Sequence, residues 1–431
     1  MSQDINCDLM VIGAGIAGMA AAAFATARGI SVVQAGLATT TMFASGCFDL
    51  LGVSPEYPGR SCEKPFEAID ALRNVNSAHP YARLQNDEIR TAFDEFLSFC
   101  RESGLEMHCR PEVNMHFATP VGTVKTTYAV PASLLHGVHA LSSQTPCLLA
   151  DVKGLKGYSA RQVAFMLDGQ LPVTDVVRLS FPGFEDKADV YVRQMALAME
   201  NSRIRNEFVA RLLPHVGEAQ AVGLPAMLGL SRCREVLRAV QDGLGVPVFE
   251  IPTMPPGVAG ERMKLALDEG LRMRGVRILN RRNVLDVQVL EDGFRLEVGS
   301  EWPEYVVQSK AVLLASGRFL GKGLVAKRTG VEELLFNIPV SQPESRDKWH
   351  EDAFFAEGGH AINRAGIVSD NDFRPMDRQG KPVHENLFAA GAILANQDWM
   401  REKSGTGIAV CSAYHAVCTL VRNLEFKQSG E

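Results

Sequence analysis

Asp8-Leu-Met-Val-Ile12-Gly13-Ala-Gly15-Ile-Ala-Gly18-Met-Ala-Ala-Ala-Ala-Phe-Ala-Thr-Ala-Arg28 decides how the chain begins. Asp8 to Ile12 is a short apolar run that reads as a buried strand. The stretch after Gly18 is alanine-rich and predicts a helix to Arg28, with Gly29 as its stop. Ile30 to Val33 then reads as a second strand, giving a βαβ opening. Between strand and helix the glycines follow G-x-G-x-x-G spacing. Gly13 permits the tight turn, Gly15 lets the backbone approach a pyrophosphate, and Gly18 allows close helix–strand packing. A helix N-terminus at that point offers free N–H groups and positive potential to phosphates. Alone the motif is weak; after a strand and at the head of a helix it stands in the context that gives it meaning. At the end of the second strand, where a carboxylate would bind an adenosine ribose, stands Gln34. Its amide is either a softened ribose contact, uncharged and hence weaker, or a plain strand-end side chain.

Further along, three prolines and little periodicity mark Ser54 to Pro65 as loop. Asp87 to Arg101 predicts an amphipathic helix with Ile89, Phe93, Phe96, Leu97 and Cys100 on one face and Gly104 ending it. Ser231 to Asp242 and Gly260 to Gly275 read as helices and Val276 to Leu279 as a strand. Asn283 to Leu290 and Phe294 to Val298 flank Glu291-Asp292-Gly293, a strong hairpin signal. Lys310 to Ala315 is an apolar strand ending in Ser316-Gly317, Asn386 to Ala390 a last short strand, and Ser404 to Val421 a helix with a glycine-rich start. The pattern predicts an α/β fold: a Rossmann-like domain with a parallel sheet and a β-hairpin or meander, plus an inserted α+β second domain. The first is expected to comprise 1–54, 251–325 and 385–431, and the second 55–250 with 326–384.

Composition sets outer limits. The 431 residues are 46% hydrophobic and 22% charged, ordinary globular usage for about two domains. Lys plus Arg number 44 against 50 Asp plus Glu, a net charge of −6, which gives no electrostatic support for nucleic-acid binding. Nine cysteines, none in a C-x-x-C pair, argue against zinc, Cys-rich iron–sulfur or disulfide frameworks and for reduced thiols; no metal site is expected. The uncharged run Leu9 to Ala27 imitates a membrane segment, but Asp4 and Asp8 precede it and its glycines turn the chain in the middle. Neither a signal peptide nor a span is expected. Thirty-eight glycines, by contrast, suit a protein that binds a cofactor through glycine turns.

Two later segments join the first motif. A strand ending Leu314-Ala-Ser316-Gly317 and the sequence Asn386-Leu-Phe-Ala-Ala-Gly391-Ala392, followed by Ser404-Gly405-Thr406-Gly407, give the order seen in the two-dinucleotide-binding-domain flavoprotein superfamily, which the chain resembles. The resemblance implies a second glycine turn close to the cofactor and a helix N-terminus directed at the flavin. There its dipole would stabilise negative charge on the reduced ring. Ala392 stands where the superfamily usually has an acid for the ribityl chain. Packing glycines on a C-terminal helix are the plainer reading of Gly405 and Gly407.

Phe43-Ala-Ser45-Gly46-Cys47-Phe-Asp49-Leu-Leu-Gly52, Phe249-Glu-Ile-Pro-Thr253-Met-Pro255-Pro-Gly-Val-Ala-Gly260-Glu-Arg262 and Leu314-Ala-Ser316-Gly317-Arg318-Phe-Leu-Gly321-Lys322-Gly323-Leu narrow the resemblance. In that order, the chain is similar to the B subunit of the anaerobic glycerol-3-phosphate dehydrogenase, from Asp8 to about Val421 and most weakly across about 60–240. The resemblance implies a flavoprotein subunit of a quinone-linked enzyme that converts sn-glycerol 3-phosphate to dihydroxyacetone phosphate. Its implied partners are a catalytic A subunit, and with it an iron–sulfur, membrane-attaching C subunit. It implies a cytoplasmic place, peripheral to the inner membrane. The family is commonly assigned FMN, whereas the glycine triplet favours FAD, because FMN has no pyrophosphate to cradle. Ser45 and Gly46, with Cys47, are expected beside the isoalloxazine ring.

Were this chain to oxidise substrate itself, it would need a phosphate clamp and a base. Arg262, Arg318, Lys322 and Lys125 are the clamp candidates. His360, in Glu357-Gly-Gly-His360, is the base candidate because its pKa suits proton transfer at neutral pH. An electron-relay or assembly subunit without its own substrate oxidation is the alternative, as is another flavin oxidoreductase of the succinate/fumarate or ketosteroid type.

Overall fold

The computed structural model describes residues 2–37, 40–56 and 59–429. The chain divides into two compact units. The first comprises Met1–Thr40, Asp49–Gly104 and Leu267–Glu431; the second comprises Thr41–Phe48 with Leu105–Ala266.

The first unit is built on a seven-stranded sheet. Strand β1 (Gln3–Ile12) runs parallel to β2 (Val32–Gly36) on one side and to Pro303–Leu314 on the other. Arg277–Asn280 adds to β2, and Leu387–Ala389 adds to the end of Pro303–Leu314, both parallel. Gly293–Gly299 and Asn283–Leu290 continue the sheet as an antiparallel meander. The parallel strands are buried apolar runs (Leu9–Ile12, Ala311–Leu314), as a sheet covered on both faces requires. Each fully buried Leu or Val there contributes about 1.5–3 kcal/mol of transfer free energy.

Helix α1 (Ile16–Ala27) follows the first glycine turn. Its alanines leave room for the helix Gly405–Ser429, so that Phe24 meets Tyr414 edge-on at 5.1 Å and tilts onto Phe96 at 6.2 Å. Phe96 belongs to Asn86–Glu102, the expected amphipathic helix, which the Arg28–Glu95 ion pair ties to α1 at 2.6 Å. This packing groups Asp49–Gly104 with the sheet unit, whereas the sequence reading began the inserted domain at residue 55. Residues 326–384 group with the sheet unit as well. They carry only short strand pairings but hydrogen-bond to it: Ala389 N–H donates to Phe373 O (2.9 Å) and Ala395 N–H to Ile367 O (2.9 Å).

The second unit has its own core. A four-stranded parallel sheet is ordered Val248–Ile251, Ala221–Pro225, Cys147–Val152, Val173–Leu179. Small antiparallel ribbons accompany it, among them Met115–Ala118 with Val124–Thr127. Just ahead of the helix Cys233–Leu244, the Glu200 carboxylate accepts from the N–H groups of Leu230, Ser231 and Arg232 at 2.9, 2.7 and 3.1 Å. Among the described residues no helix is long and apolar enough to cross a membrane.

Candidate functional site

In the first unit the carboxyl ends of the parallel strands gather along one edge. The chain leaves β1 at Gly13, whose N–H donates to Ala35 O (2.7 Å), while Ala315 N–H donates to Ile12 O (2.8 Å) and Ala390 N–H to Leu314 O (2.9 Å). The neighbours of β1 lie on opposite sides and are reached in opposite directions, which is the place where open α/β sheets hold ligands. At Gly13 φ is +132°, and a Cβ there would lie 2.1 Å from Ala315 O, so no other residue fits the turn. A Cβ on Gly391 would lie 2.7 Å from Ala17 Cβ, and its N–H is held by Ser412 Oγ at 3.0 Å. Gly391 therefore seats its turn against the first turn of α1. Nothing in the sequence marked Ser412, one of several hydroxyl side chains on the helix Gly405–Ser429, for that task.

Gly15 is the N-cap of α1, in extended conformation, with no side-chain cap and no acid in the first turn. The positive end of the helix is thus left uncapped by any side chain and faces no carboxylate of its own, which suits an anion. Gly18 packs on Gly13 O, where a Cβ would approach to 2.1 Å. Gly317 forms the turn after Pro303–Leu314 with φ +67°.

Gln34 resolves to the second of its two readings. Its side chain is fully buried, and Nε2 donates to Gly13 O at 3.0 Å, beneath the glycine turn, while Oε1 has no hydrogen-bond partner. A side chain so placed braces the turn and does not reach outward to a ribose. The β2 end from Gln34 to Leu37 offers no carboxylate.

In the last helix the two glycines pack against neighbouring side chains and backbone. Gly405 begins it against Trp399, but a Cβ on Gly407 would fall 1.9 Å from the Tyr81 hydroxyl, and Gly407 N–H donates to Asp49 O at 2.7 Å. Gly407 is a packing glycine whose amide is already engaged. Beside it lies a polar network absent from the sequence reading. Buried His79 accepts Tyr81 N–H on Nδ1 (3.1 Å) and contacts Glu402 Oε2 through Nε2 (3.3 Å); Ser404 Oγ donates to the same carboxylate at 2.8 Å. Burial pushes the Glu402 carboxyl upward, but His79, Asp398 N–H and Ser404 outweigh it and hold it below the ordinary value.

In the first unit the candidates Arg318 and His360 are both tied to backbone groups. Arg318 is pinned by the carbonyls of Asn363, Leu394 (3.2 Å) and Gln397 (2.9 Å), and burial pulls its pKa down to about 10. His360 accepts Glu351 N–H on Nδ1 (3.1 Å), so Nε2 carries the proton and donates to Phe354 O (3.1 Å). Both ring nitrogens hold its own loop. Lys322 lies exposed in a turn at φ +59°.

In the second unit Arg262 is buried and fully engaged. It donates to Glu250 Oε2 (2.8 Å) and Oε1 (3.2 Å), to Gly229 O (2.7 and 3.2 Å) and to Ser133 Oγ (3.4 Å). Every donor of its guanidinium is spent, so none remains for a phosphate. Lys125 is half-buried with its ammonium 5.9 Å from the Phe117 ring centroid. Ser45, Gly46 and Cys47 also lie in the second unit, with Gly46 at φ +82° and Cys47 buried.

These features define a class first. The FAD binding domain family matches residues 8–408, and the chain belongs to it, so its cofactor is a flavin of the FAD type. The glycine turn, with its uncapped helix end, fits the diphosphate of that cofactor. A protein of Halobacterium salinarum, named as the probable B subunit of an anaerobic glycerol-3-phosphate dehydrogenase, is 30% identical over 425 residues, covering 96% of this chain and 97% of its own. A Vibrio vulnificus protein of the corresponding name is 27% identical over 428 residues, covering 96% of each chain. Within the FAD-binding class, the chain is a member of the B-subunit family of the anaerobic glycerol-3-phosphate dehydrogenases. Among solved structures, the open conformation of a flavocytochrome c3 fumarate reductase aligns with a TM-score of 0.43 at 10% identity, over 97% of this chain and 78% of that one.

Proposed function

We propose that this chain is the flavin-bearing B subunit of a quinone-linked anaerobic sn-glycerol-3-phosphate dehydrogenase complex. Oxidation of the substrate's secondary alcohol to the ketone of dihydroxyacetone phosphate releases two electrons and two protons; a membrane quinone takes up the equivalent and becomes quinol. The partners are a catalytic A subunit, and an iron–sulfur C subunit that attaches the complex to the inner membrane from the cytoplasmic side. What carries the reading is the convergence of the strand ends at Gly13, Gly317 and Gly391 beside the uncapped N-terminus of α1, in a chain whose near full-length relatives bear the B-subunit name.

When bound, the flavin supplies two-electron acceptance and one-electron release, which lets it join a hydride donor to a one-electron carrier. The residues proposed to hold it are those of the Gly13-Ala14-Gly15 turn and α1 for the diphosphate. Gln34 braces that turn from below. Gly317, Gly391 and Gly405 are the remaining proposed contacts in this unit.

A second reading, that this chain relays electrons and leaves substrate oxidation to its partner, is favoured by one observation. Arg262 and both ring nitrogens of His360 are engaged by protein groups, and the two terminal nitrogens of Arg318 are held by backbone carbonyls. The test is to purify the chain alone and assay glycerol 3-phosphate oxidation with an artificial acceptor. Turnover supports oxidation on this chain; a flavin that stays oxidised under anaerobic substrate, yet is reduced once the catalytic partner is added, supports the relay.

A further inference from the structure

Residues 351–359 read Glu-Asp-Ala-Phe-Phe-Ala-Glu-Gly-Gly and put two phenylalanines into solvent. Phe354 is 80% and Phe355 90% exposed, their rings edge-to-face at 4.9 Å. Isolated exposed apolar residues need no explanation, but two adjacent aromatic rings outside the core are a standing cost of unburied apolar surface.

The loop is held rather than loose. His360 grips it at Glu351 N–H and Phe354 O, and Arg401 donates to Ala356 O (3.0 Å) and to Glu357 O. Arg401 stands on the short helix Trp399–Glu402, where Met400 is itself 61% exposed. Fixing the backbone in advance lowers the ordering cost of binding, which is how aromatic anchors at interfaces gain affinity. Glu351, Asp352 and Glu357 are exposed, and no ion pair among the described residues engages them. The stretch itself carries three negative charges and no Lys or Arg; the two arginines that touch it, Arg401 and Arg364, turn guanidinium donors to its backbone carbonyls and not to its acids.

This charge pattern chooses the occupant. The anionic surface of a cytoplasmic membrane leaflet would repel three carboxylates. A second copy docking symmetrically would set the same acids against each other. A protein surface with an apolar pocket rimmed by Lys or Arg meets both the rings and the charges. The position suits an electron partner too: Arg318, next to the Gly317 turn, donates to Asn363 O, three residues beyond His360. The loop is thereby joined to the carboxyl edge of the sheet.

We infer that the Phe354–Phe355 pair and its flanking acids dock a companion subunit presenting an apolar, basic-rimmed pocket; the inference rests on the complex proposed above. The experiment measures binding of the purified flavin-loaded chain to the purified catalytic partner and, separately, to the purified iron–sulfur partner. It is run in parallel for wild type, Phe354→Ala/Phe355→Ala and Glu351→Lys/Asp352→Lys/Glu357→Lys. Bound flavin per chain and far-ultraviolet circular dichroism confirm that each variant is folded. The expected result is wild-type binding to one companion, weakened at least about thirtyfold by the double alanine change. The triple lysine change is expected to slow association and reverse its salt dependence, so that added salt speeds it. Binding by wild type with unchanged affinity in the double alanine variant overturns this surface and leaves the complex standing. Wild type that binds neither companion overturns the complex itself. Loss, in the double alanine variant, of self-association in sedimentation or of binding to phosphatidylglycerol vesicles overturns the inference in favour of a second copy or a lipid surface.

Discussion

The Gln34 side-chain amide donates to the carbonyl oxygen of Gly13 across 3.0 Å, fully buried beneath the turn that opens the flavin-binding fold. This relationship separates a brace from a ligand. As a brace, Gln34→Glu places a carboxylate against a carbonyl oxygen in a fully buried site, and the donor is lost. The expected outcome is a loss of about 1–3 kcal/mol or more in urea unfolding, with weaker flavin retention. A ribose ligand would instead bind flavin more tightly as Glu. Flavin stoichiometry and unfolding of the variant check the outcome together.

Gly407 tests the last helix in a similar way. Gly407→Ala is expected to destabilise by about 1–3 kcal/mol through overpacking, because its Cβ would meet the Tyr81 hydroxyl at 1.9 Å and Leu50 O at 2.8 Å. Combining it with Tyr81→Phe removes the first clash but not the second. The double variant should then cost less than the two single changes added together, by about 1 kcal/mol. A glycine required for ligand approach would show no coupling to Tyr81, and a double-mutant cycle by chemical denaturation decides between them.

Arg262 and Glu250 form a buried pair at 2.8 Å, their side chains 9% and 0% exposed. Arg262→Met leaves the buried Glu250 carboxylate without its ion-pair partner, held only by Leu228 N–H (2.7 Å), and is expected to cost about 3–5 kcal/mol. Arg262→Met with Glu250→Gln should recover much of that loss, since no unpaired charge remains. Thermal melts of the two variants report the difference, and a phosphate-clamp role would predict no such rescue.

His415 gives stability a pH dependence of known sign. Burial lowers its pKa, but the hydrogen bond to Glu88 (2.6 Å) and the nearby Asp372 (3.6 Å) outweigh that and raise it above the ordinary 6.5. Arg422, 3.8 Å from Asp372, shares that carboxylate. The folded state therefore holds the proton more tightly than the unfolded chain. Its contribution is fully present below about pH 6.5 and is lost as pH rises through the raised folded value. Urea midpoints of wild type should fall across that window, and those of His415→Gln should not.

How far the sequence carries can be seen in these same residues. The Gly13–Gly18 spacing, the Asp292-Gly293 hairpin and the stripe of Ile89, Phe93 and Phe96 report local periodicity and turn chemistry, and each lies in the element expected of it. Gln34 pointing inward is a choice of side-chain rotamer, which composition does not encode. The saturation of Arg262 depends on Gly229 and Ser133, and the crowding at Gly407 on Tyr81, over 300 positions away in the chain. Such contacts exist only once the chain is folded, so isolated arginines and glycines looked like candidates for chemistry. The assignment of Asp49–Gly104 and 326–384 to the sheet unit rests likewise on packing against α1 and on scattered backbone bonds, which leave no periodic trace.

The most direct measurement is the absorbance of the bound flavin in the assembled complex, mixed anaerobically with sn-glycerol 3-phosphate as the only electron donor. The account predicts bleaching of the oxidised flavin band on this chain, and its return when a soluble quinone is added. A flavin that stays oxidised in the complete complex while substrate is present would contradict it.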